Sequence, residues 1–314
     1  MRVAFLGNAP WSVPSLEALA ESSHQVILVG TRTPRPAGRG NRVVPTPVAE
    51  GARRLGFPLM ETETVKAGPG FEALSAAAPD ALAVVAYGEI LPPAMLDLPA
   101  VAPVNLHFSL LPELRGAAPV QRAIMEGMTV TGVTTIRMDP GMDTGPILLR
   151  AEEAIDPRDD AGSLGGRLAL LGAHLLVDAL DRLEAGGLEP VPQDEAAASY
   201  APKLTAADRV IRWEAGDEEI VRRVRALAPE PSATTTFRER GLKVFRAEAV
   251  DPRRLEASAT GKPGVIAVTT AQGLAVAAGR GGVELVEVAP EGRRRMSGAE
   301  FVRGYRPKVG ETLG

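Results

Sequence analysis

The first part of the chain alternates short apolar runs with segments whose apolar residues recur at helical spacing. Because helices that connect parallel strands produce this alternation, the pattern predicts a parallel sheet covered by crossover helices. The predicted strands span residues 2–6, 25–31, 58–60, 81–86, 101–107 and 130–138. The first domain is therefore expected to be an α/β domain.

Residues typical of helix ends mark the intervening helices. Ser12 is placed to cap one helix and Thr46 another, each with a proline in its first turn, and Gly56 is placed to end the second. A longer helix is predicted over 163–185, where leucines recur at helical spacing and a glycine pair follows. Its apolar stripe consists of Leu164, Leu168, Leu171, Leu175 and Leu183. This stripe is expected to pack against the sheet.

The second half of the chain has a different pattern. Residues 189–208 contain three prolines and no periodicity, which predicts a linker between domain 1–188 and domain 209–314. One charged helix is predicted over 217–227. Strands are predicted over 233–237, 242–249, 264–270, 274–278 and 283–288. Short strands separated by glycine-bearing turns are typical of a small β-barrel.

Length and composition agree with two globular domains. At 314 residues the chain exceeds the usual single-domain size of about 100–200 residues, and its 45% hydrophobic and 24% charged residues are typical of folded proteins. The absence of cysteine excludes disulfides, thiolate nucleophiles and cysteine-bound zinc, and it fits a reducing compartment. The first apolar run ends at Gly7, too early for a signal peptide or a membrane span, so no membrane association is expected.

Charge is divided unevenly along the chain. Residues 1–208 contain 16 basic and 25 acidic residues, whereas residues 209–314 contain 19 and 14, so the net charge changes from -9 to +5. A second cluster lies between Arg32 and Arg54, with six arginines and one acidic residue, Glu50. Such positive regions favour a polyanionic partner, although solvated protein surfaces also carry them.

The strongest candidate for chemistry is Asn105 with His107. Alternation along a strand directs both side chains to the same side, near the carboxyl end of a strand, where open parallel sheets bind ligands. An amide that stabilises an oxyanion beside an imidazole that moves a proton is suited to acyl transfer. The alternative is a polar pair satisfied by nearby loop backbone.

Two further segments surround this pair in the sequence. Residues 138–146 contain two prolines, two glycines and two aspartates after an apolar run, so Asp143 is placed to orient His107 or simply to cap a turn. Residues 115–121 form a glycine-containing loop that leads into a helix, and helix N-termini attract anions. That segment is equally compatible with an ordinary helix start.

Together these segments resemble the methionyl-tRNA formyltransferase family. The motifs are Asn105-x-His107-x-Ser109-Leu110-Leu111-Pro112, Arg115-Gly116-Ala117-Ala118-Pro119-x-Gln121 and Met138-Asp139-x-Gly141-x-Asp143-Thr144-Gly145. The likeness spans nearly the whole chain. It implies a Rossmann-like folate-binding domain joined to an oligonucleotide-binding-fold-like barrel.

The resemblance also implies an activity and its residues. The expected reaction transfers the formyl group of 10-formyltetrahydrofolate to methionyl initiator tRNA, with Asn105, His107 and Asp143 as the catalytic trio and no metal. The expected folate-binding residues are Tyr87, Gly88, Ser109, Leu110, Leu111, Pro112 and Asp139. The expected tRNA-binding residues are Arg35, Arg39, Arg42, Lys203, Arg293, Arg294 and Arg295. A cytoplasmic monomer is expected.

Three positions depart from the family pattern, and other functions remain open. Asn8 stands where relatives usually have threonine, Phe108 replaces a smaller residue, and Glu230 lies where an aromatic residue is common. The alternatives are a formyl-folate hydrolase, a sugar-nucleotide formyltransferase, and a non-catalytic folate- or RNA-binding module. A dinucleotide oxidoreductase is less compatible, since the first strand does not lead into a Gly-x-Gly-x-x-Gly turn. His24 and His174 are expected to be structural.

Overall fold

The computed structural model describes residues 1–37, 42–250, 261–271 and 273–314. The chain forms two compact units. The first comprises Met1–Pro119, Val130–Ala154 and Gly165–Pro202, and the second comprises Val120–Thr129, Ile155–Leu164 and Lys203–Gly314. Residues 189–202 thus belong with the first unit, and the domain limits expected from the sequence remain a prediction.

The secondary structure follows the alternation predicted from the sequence. The strands up to residue 201 are β1 Arg2–Gly7, β2 Gln25–Arg32, β3 Arg35–Ala37, β4 Arg42–Val44, β5 Leu59–Thr62, β6 Ala81–Val85, β7 Ala102–His107, β8 Arg115–Gly116, β9 Val130–Arg137, β10 Ile147–Ala154 and β11 Tyr200–Ala201. The helices over the same range are α1 Val13–Glu21, α2 Pro47–Leu55, α3 Gly68–Ala77, α4 Pro93–Leu96, α5 Pro119–Glu126 and α6 Ala161–Glu184.

The first unit is built on a sheet with the strand order β10-β9-β7-β6-β1-β2-β5. Strands β1, β2, β5, β6 and β7 pair in parallel, and β1 is almost entirely buried, as expected for a strand covered on both faces. The α/β fold is confirmed. Strand β9 is antiparallel to β7, however, and pairs on its other side with an antiparallel edge strand, β10, that the sequence analysis did not predict.

The helix-end signals have different outcomes. Thr46 caps α2, since its hydroxyl accepts a hydrogen bond from the Ala49 amide at 3.0 Å, and Gly56 ends that helix in the left-handed region at φ 73°. Ser12 directly precedes α1, but its hydroxyl donates to the carbonyl of Val85 at 2.7 Å. The predicted Ser12 cap is therefore wrong, because a buried hydroxyl binds the end of β6 instead.

Helix α6 contributes a long apolar face to the core. Leu164 and Leu168 are buried as predicted, but Leu171, Leu175 and Leu183 remain partly exposed. The buried row continues instead through Leu176 and Leu180. Between them Gly172 allows close approach to the sheet, since a Cβ there would lie 2.7 Å from Leu106. By length and composition α6 alone, among the described residues, is apolar enough to cross a membrane, and half of its most apolar window is buried.

The second unit is a small antiparallel barrel. Its strands are β12 Ala233–Phe237, β13 Arg240–Ala249, β14 Ile266–Thr269, β15 Leu274–Ala277, β16 Gly282–Pro290 and β17 Met296–Ser297, and its helices include α7 Ala206–Arg209, α8 Asp217–Leu227 and α9 Gly298–Tyr305. The sheet order is β12-β13-β16-β15-β14, with β17 on β16. Residues 312–313 bridge to Phe237 on the edge strand β12 and to Val265, which directly precedes the other edge strand, β14. These bridges close the sheet into a barrel. Its core contains Val224 and Leu227 of α8 together with Phe301 of α9.

Candidate active site

Strand β7 presents the first two site residues on one side of the sheet. His107 is 5% exposed, and Asn105, two residues earlier, is half-buried. The Asn105 amide nitrogen lies 3.4 Å from Oδ1 of Asp143, and Nδ1 of His107 lies 3.6 Å from Oδ2 of the same carboxylate. The structure therefore brings the three predicted catalytic residues together.

The chain brings Asp143 to His107 from an antiparallel strand, β9, and not from the parallel strand that the sequence predicted. Because β9 is antiparallel to β7, its last residue, Arg137, pairs with Val104 rather than with His107. The following segment turns back and places Asp143 in the left-handed region at φ 57°. There Oδ2 accepts a hydrogen bond from the Gly116 amide at 2.9 Å. The carboxylate is thus held from β8 as well as from β7.

The imidazole of His107 has a defined tautomer. Its Nε2 lies 3.0 Å from the carbonyl oxygen of Leu114, and a carbonyl oxygen only accepts hydrogen bonds. Nε2 therefore carries a hydrogen. Nδ1, which faces Asp143, is the ring atom left to take up or release a proton.

The run from Ser109 to Pro112 is anchored to β9. The hydroxyl of Thr134 donates to the carbonyl of Ser109 at 2.7 Å and accepts from the amide of Leu111 at 3.0 Å. Ser109 and Leu111 are buried, whereas Leu110 and Pro112 are half-buried. The Ser109 hydroxyl is already bonded to the Glu113 carbonyl at 2.6 Å. Side-chain contact with a ligand is therefore open mainly to Leu110 and Pro112.

The other predicted folate-binding residues lie at the ends of β6 and β9. The Tyr87 side chain belongs to an apolar cluster with Val84 and Leu91, and burial, followed by the charge of Glu89, raises the pKa of Tyr87 to about 12. Gly88 adopts φ 81°, a left-handed conformation that favours glycine. Only the backbone of Tyr87 and Gly88 is then suited to line a pocket.

Asp139 has a local structural role at the start of its turn. Its Oδ1 accepts hydrogen bonds from the Gly141 amide at 3.0 Å and from the Thr144 hydroxyl at 2.7 Å. These bonds shape the turn that carries Asp143.

The unusual Asn8 connects three strand ends. Its Oδ1 accepts from the Thr31 hydroxyl at 2.9 Å and from the Arg32 amide at 2.8 Å, while its Nδ2 donates to the Tyr87 carbonyl. The ends of β1, β2 and β6 are thereby fixed to one another. Phe108, the second departure, packs with its ring centroid 5.8 Å from that of Trp11, so it has joined the core.

The predicted tRNA-binding residues fall into two groups. Arg35 and Arg42 lie on the paired strands β3 and β4, whereas Arg39 lies outside the described residues. In the second unit, Lys203, Arg293, Arg294 and Arg295 are exposed. The Arg295 guanidinium lies 3.7 Å from the centre of the Phe245 ring and donates to the Pro229 carbonyl at 3.2 Å, close to the exposed Glu230.

The remaining two histidines differ in exposure. Burial is the main cause that lowers the pKa of His24, whose Nε2 lies 3.2 Å from Asp181 on α6. With Glu184, these groups place potential ligand atoms within 4.8 Å of one another. His174 is exposed, and Asp178, four residues later on the same helix, accepts a hydrogen bond from Arg182 at 2.8 Å.

One part of the site was missed by the sequence analysis. Buried Arg115 bonds to Gln193 and Glu195, and Gln193 bonds in turn to the loop that carries Asp143. The only signal was the polar Gln-Asp-Glu sequence inside a proline-rich stretch interpreted as a linker. Nothing in that sequence indicates which distant segment it contacts.

Comparison with known proteins identifies the family. Residues 1–180 match the formyl transferase family and residues 203–306 match the formyl transferase C-terminal domain. The methionyl-tRNA formyltransferase of Koribacter versatilis is 44% identical, with 100% of this chain and 99% of that protein covered. The one of Aromatoleum aromaticum is 41% identical, with 100% and 97% covered. The chain belongs to the methionyl-tRNA formyltransferase family. It is therefore a one-carbon group transferase.

Solved structures agree with this family fold. HypX from Aquifex aeolicus in complex with tetrahydrofolic acid superposes with a TM-score of 0.67 at 19% identity, covering 99% of this chain and 48% of that chain. WlaRD, a sugar 3N-formyl transferase, gives a TM-score of 0.65 at 14% identity, covering 94% of this chain and 99% of that chain. At these identities the likeness concerns the fold.

Proposed function

We propose that this protein transfers the formyl group of 10-formyltetrahydrofolate to the amino group of methionyl initiator tRNA. The observation that carries the proposal is the convergence of Asn105, His107 and Asp143 in a chain whose relatives, at about 40% identity over their full length, are methionyl-tRNA formyltransferases. Such a trio combines an oxyanion donor, a proton carrier and a carboxylate that favours the charged imidazole.

The reaction begins when the unprotonated methionyl amine attacks the formyl carbon bonded to N10 of the folate. A tetrahedral oxyanion forms. The Asn105 amide has two N–H donors, and its single bond to Asp143 leaves the second for this oxygen. Positioning and preorganised donors supply most of the acceleration.

Proton transfer is assigned to Nδ1 of His107. Leu114 holds Nε2–H, so Nδ1 accepts the proton that the attacking nitrogen loses, and the negative charge of Asp143 stabilises the resulting imidazolium. Return of a proton to N10 allows the bond between N10 and the formyl carbon to break. The products are formylmethionyl-tRNA and tetrahydrofolate.

The folate donor is assigned to the surface beside this trio. Leu110 and Pro112 offer half-buried apolar contacts, and the backbone of Tyr87 and Gly88 offers polar groups. Asp139 contributes by shaping the turn that carries Asp143.

The tRNA is assigned to two basic regions. Arg35 and Arg42 on the paired strands β3 and β4, with Arg39 between them in the sequence, form the first, and Lys203 with Arg293–Arg295 forms the second. Arginine and lysine neutralise phosphates, which is the main source of nucleic-acid affinity. Translation initiation is a cytoplasmic process, and we assign the protein to that compartment as a monomer.

The deciding experiment supplies 10-formyltetrahydrofolate with charged initiator tRNA, and in parallel with charged elongator tRNA. We expect formylation of the initiator only. Formylation of an amino sugar nucleotide instead, or release of formate without an acceptor, would assign the site to a sugar-nucleotide transferase or to a hydrolase.

A further inference from the structure

Arg115 is among the largest fully buried side chains of the described residues, with 1% of its surface exposed. A guanidinium withdrawn from water is tolerated only when its charge is compensated and its N–H groups are bonded. Nη1 and Nη2 donate to the two carboxylate oxygens of Glu195 at 2.9 and 2.8 Å. Nε and Nη2 donate to Oε1 of Gln193 at 3.1 and 2.8 Å. Arg115 therefore fixes two side chains of the segment 193–195.

The other end of Gln193 reaches the loop that carries Asp143. Its Nε2 donates to the carbonyl of Asp143 at 2.8 Å and to the carbonyl of Gly145 at 2.7 Å. The amide thus uses its oxygen on Arg115 and both of its hydrogens on the loop. A side chain without the amide nitrogen can make neither bond to the loop.

The conformation of Asp143 explains why these bonds matter. A non-glycine residue is disfavoured in the left-handed region, so the loop needs compensating interactions to stay there. Gln193 binds the carbonyls on both sides of Thr144 and so restrains the backbone on which the Asp143 carboxylate is mounted.

The charge of the arginine is compensated within this cluster. The hydrogen bond from Arg115 holds the pKa of the Glu195 carboxyl below its ordinary value. Glu195 therefore stays ionised and neutralises the guanidinium. Arg115 and Glu195 act on the Asp143 loop only through the neutral amide of Gln193. The negative charge of Asp143 is therefore not compensated by Arg115 and remains available to His107.

The residues that flank Arg115 contact the other members of the trio. Leu114 binds Nε2 of His107 through its carbonyl, and Gly116 binds Oδ2 of Asp143 through its amide. Arg115 and Gly116 also pair in parallel with Tyr200 and Ala201. One short strand thus sets the imidazole and the carboxylate, and its buried side chain holds Gln193.

We propose that Gln193, held by Arg115 and Glu195, is a positioning residue that sets the Asp143 carboxylate against His107, an inference that rests on the function proposed for Asp143. The Gln193 side chain bonds to Arg115 and to the carbonyls of Asp143 and Gly145. Its contribution passes through the backbone carbonyls of Asp143 and Gly145.

The test compares Gln193→Glu and Gln193→Leu with the unmodified protein. Gln193→Glu keeps the length and gives Arg115 a carboxylate, so the fold is retained, but it removes the N–H donors to the loop. We expect kcat to fall about 10- to 100-fold, the scale of a small misplacement, with KM for both substrates within about twofold. Gln25→Leu, the same change at an exposed position, is the control and should keep full activity.

A double-mutant cycle separates positioning from general structural damage. If Gln193 acts through Asp143, then Gln193→Glu added to Asp143→Asn should lower kcat by less than about twofold. A decrease as large as in the unmodified background, or near-normal kcat for both Gln193 variants, would overturn the proposal.

A second measurement does not depend on the identity of the substrate. The chain has 3 histidines, and His107 can be assigned by NMR from the ring signal that His107→Asn removes. At one fixed pH, Gln193→Leu, which introduces no charge, should move that signal in the same direction as Asp143→Asn does. An unmoved signal would overturn the positioning role even if formyl transfer to tRNA is not observed, whereas a moved signal without formyl transfer would count against the proposed function alone.

Discussion

The carbonyl oxygen of Leu114 lies 3.0 Å from Nε2 of His107. This contact assigns the Nε2 hydrogen without reference to any substrate, because the carbonyl has no proton to give. It leaves Nδ1 opposite Asp143 at 3.6 Å, and only the imidazolium can donate across that gap. The site is therefore arranged to stabilise the charged ring once a proton arrives.

His107→Ala and Asn105→Ala are each expected to lower formyl transfer on the order of 10²-fold or more, the usual scale for removal of a proton carrier or an oxyanion donor. Steady-state kinetics with saturating folate measures the decrease, and circular dichroism checks the fold. His174→Ala is the control, since His174 is exposed on α6 and should leave activity unchanged. Near-normal turnover by both site variants would assign the chemistry elsewhere.

Asp143→Asn is expected to lower kcat while folate binding survives. The asparagine amide keeps the shape of the carboxylate but removes the charge that stabilises the His107 imidazolium. Its N–H group would also face either the Gly116 amide or the protonated His107 ring, both of which are donors. Fluorescence titration with the folate and single-turnover kinetics distinguish binding from chemistry. Asp97→Asn makes the same change at an exposed position and should have no effect. Loss of folate affinity in parallel with kcat would make Asp143 a pocket-building residue.

The main strands were predictable because they are buried on both faces and appear as apolar runs. Strand β10 was not, since Ile147–Ala154 contains alanine and glutamate residues with low β propensity and lies at the sheet edge, exposed at alternate positions. Its pairing with β9 determines its structure. Strand β9 also runs antiparallel to β7, which no local pattern in residues 130–138 indicates.

Only those parts of the site whose side chains form a pattern within one short segment could be predicted from the sequence. The i,i+2 spacing of Asn105 and His107 follows from strand geometry. The Gly116 amide and the Leu114 carbonyl are backbone groups, so their roles cannot be predicted from the type of residue. Gln193 is distant in sequence from Asp143, and only the folded chain brings them together.

Asn8→Ala is expected to destabilise the first unit by about 2 kcal/mol, because it leaves the Arg32 amide and the Tyr87 carbonyl without their partner. The corresponding fall in the unfolding midpoint is about 4–8 °C for a unit of this size. Calorimetry measures it. Asn8→Thr leaves one shorter hydroxyl in place of the separate acceptor and donor of the amide, so a smaller fall is expected. Unchanged midpoints in both variants would show that the three strand ends hold without Asn8.

Asp208 is expected to make the second unit sensitive to acid. The hydrogen bond from Arg122, at 2.9 Å, and then the Thr205 amide hold the pKa of Asp208 well below its ordinary value of 3.8. Its contribution to stability is therefore complete above that value and disappears as pH falls below it. At neutral pH, Asp208→Asn should cost about 1 kcal/mol for this half-buried pair. Thermal melts from about pH 7 down to about pH 2 should show this difference unchanged to about pH 4 and shrinking below it, and a difference that stays constant throughout would exclude Asp208 as the source.

The basic regions of the two units are expected to affect tRNA binding differently. Arg293→Ala combined with Arg294→Ala should weaken initiator and elongator tRNA alike and reduce the slope of log affinity against log salt by about 1 for each phosphate that is no longer neutralised. Arg39→Ala should instead reduce the preference for the initiator and leave folate affinity unchanged. Binding titrations with both charged tRNAs at several salt concentrations measure these effects.

Arg158→Ala is the matched control for these titrations, because its side chain is 90% exposed and its contact with Asp156 is a weak surface ion pair. It should leave affinity and salt slope unchanged. A uniform decrease in Arg39→Ala would make that residue a phosphate anchor, since phosphate contacts position a nucleic acid without specifying it. An unaltered salt slope in both sets of variants would remove these arginines from the tRNA interface and favour a small-molecule acceptor.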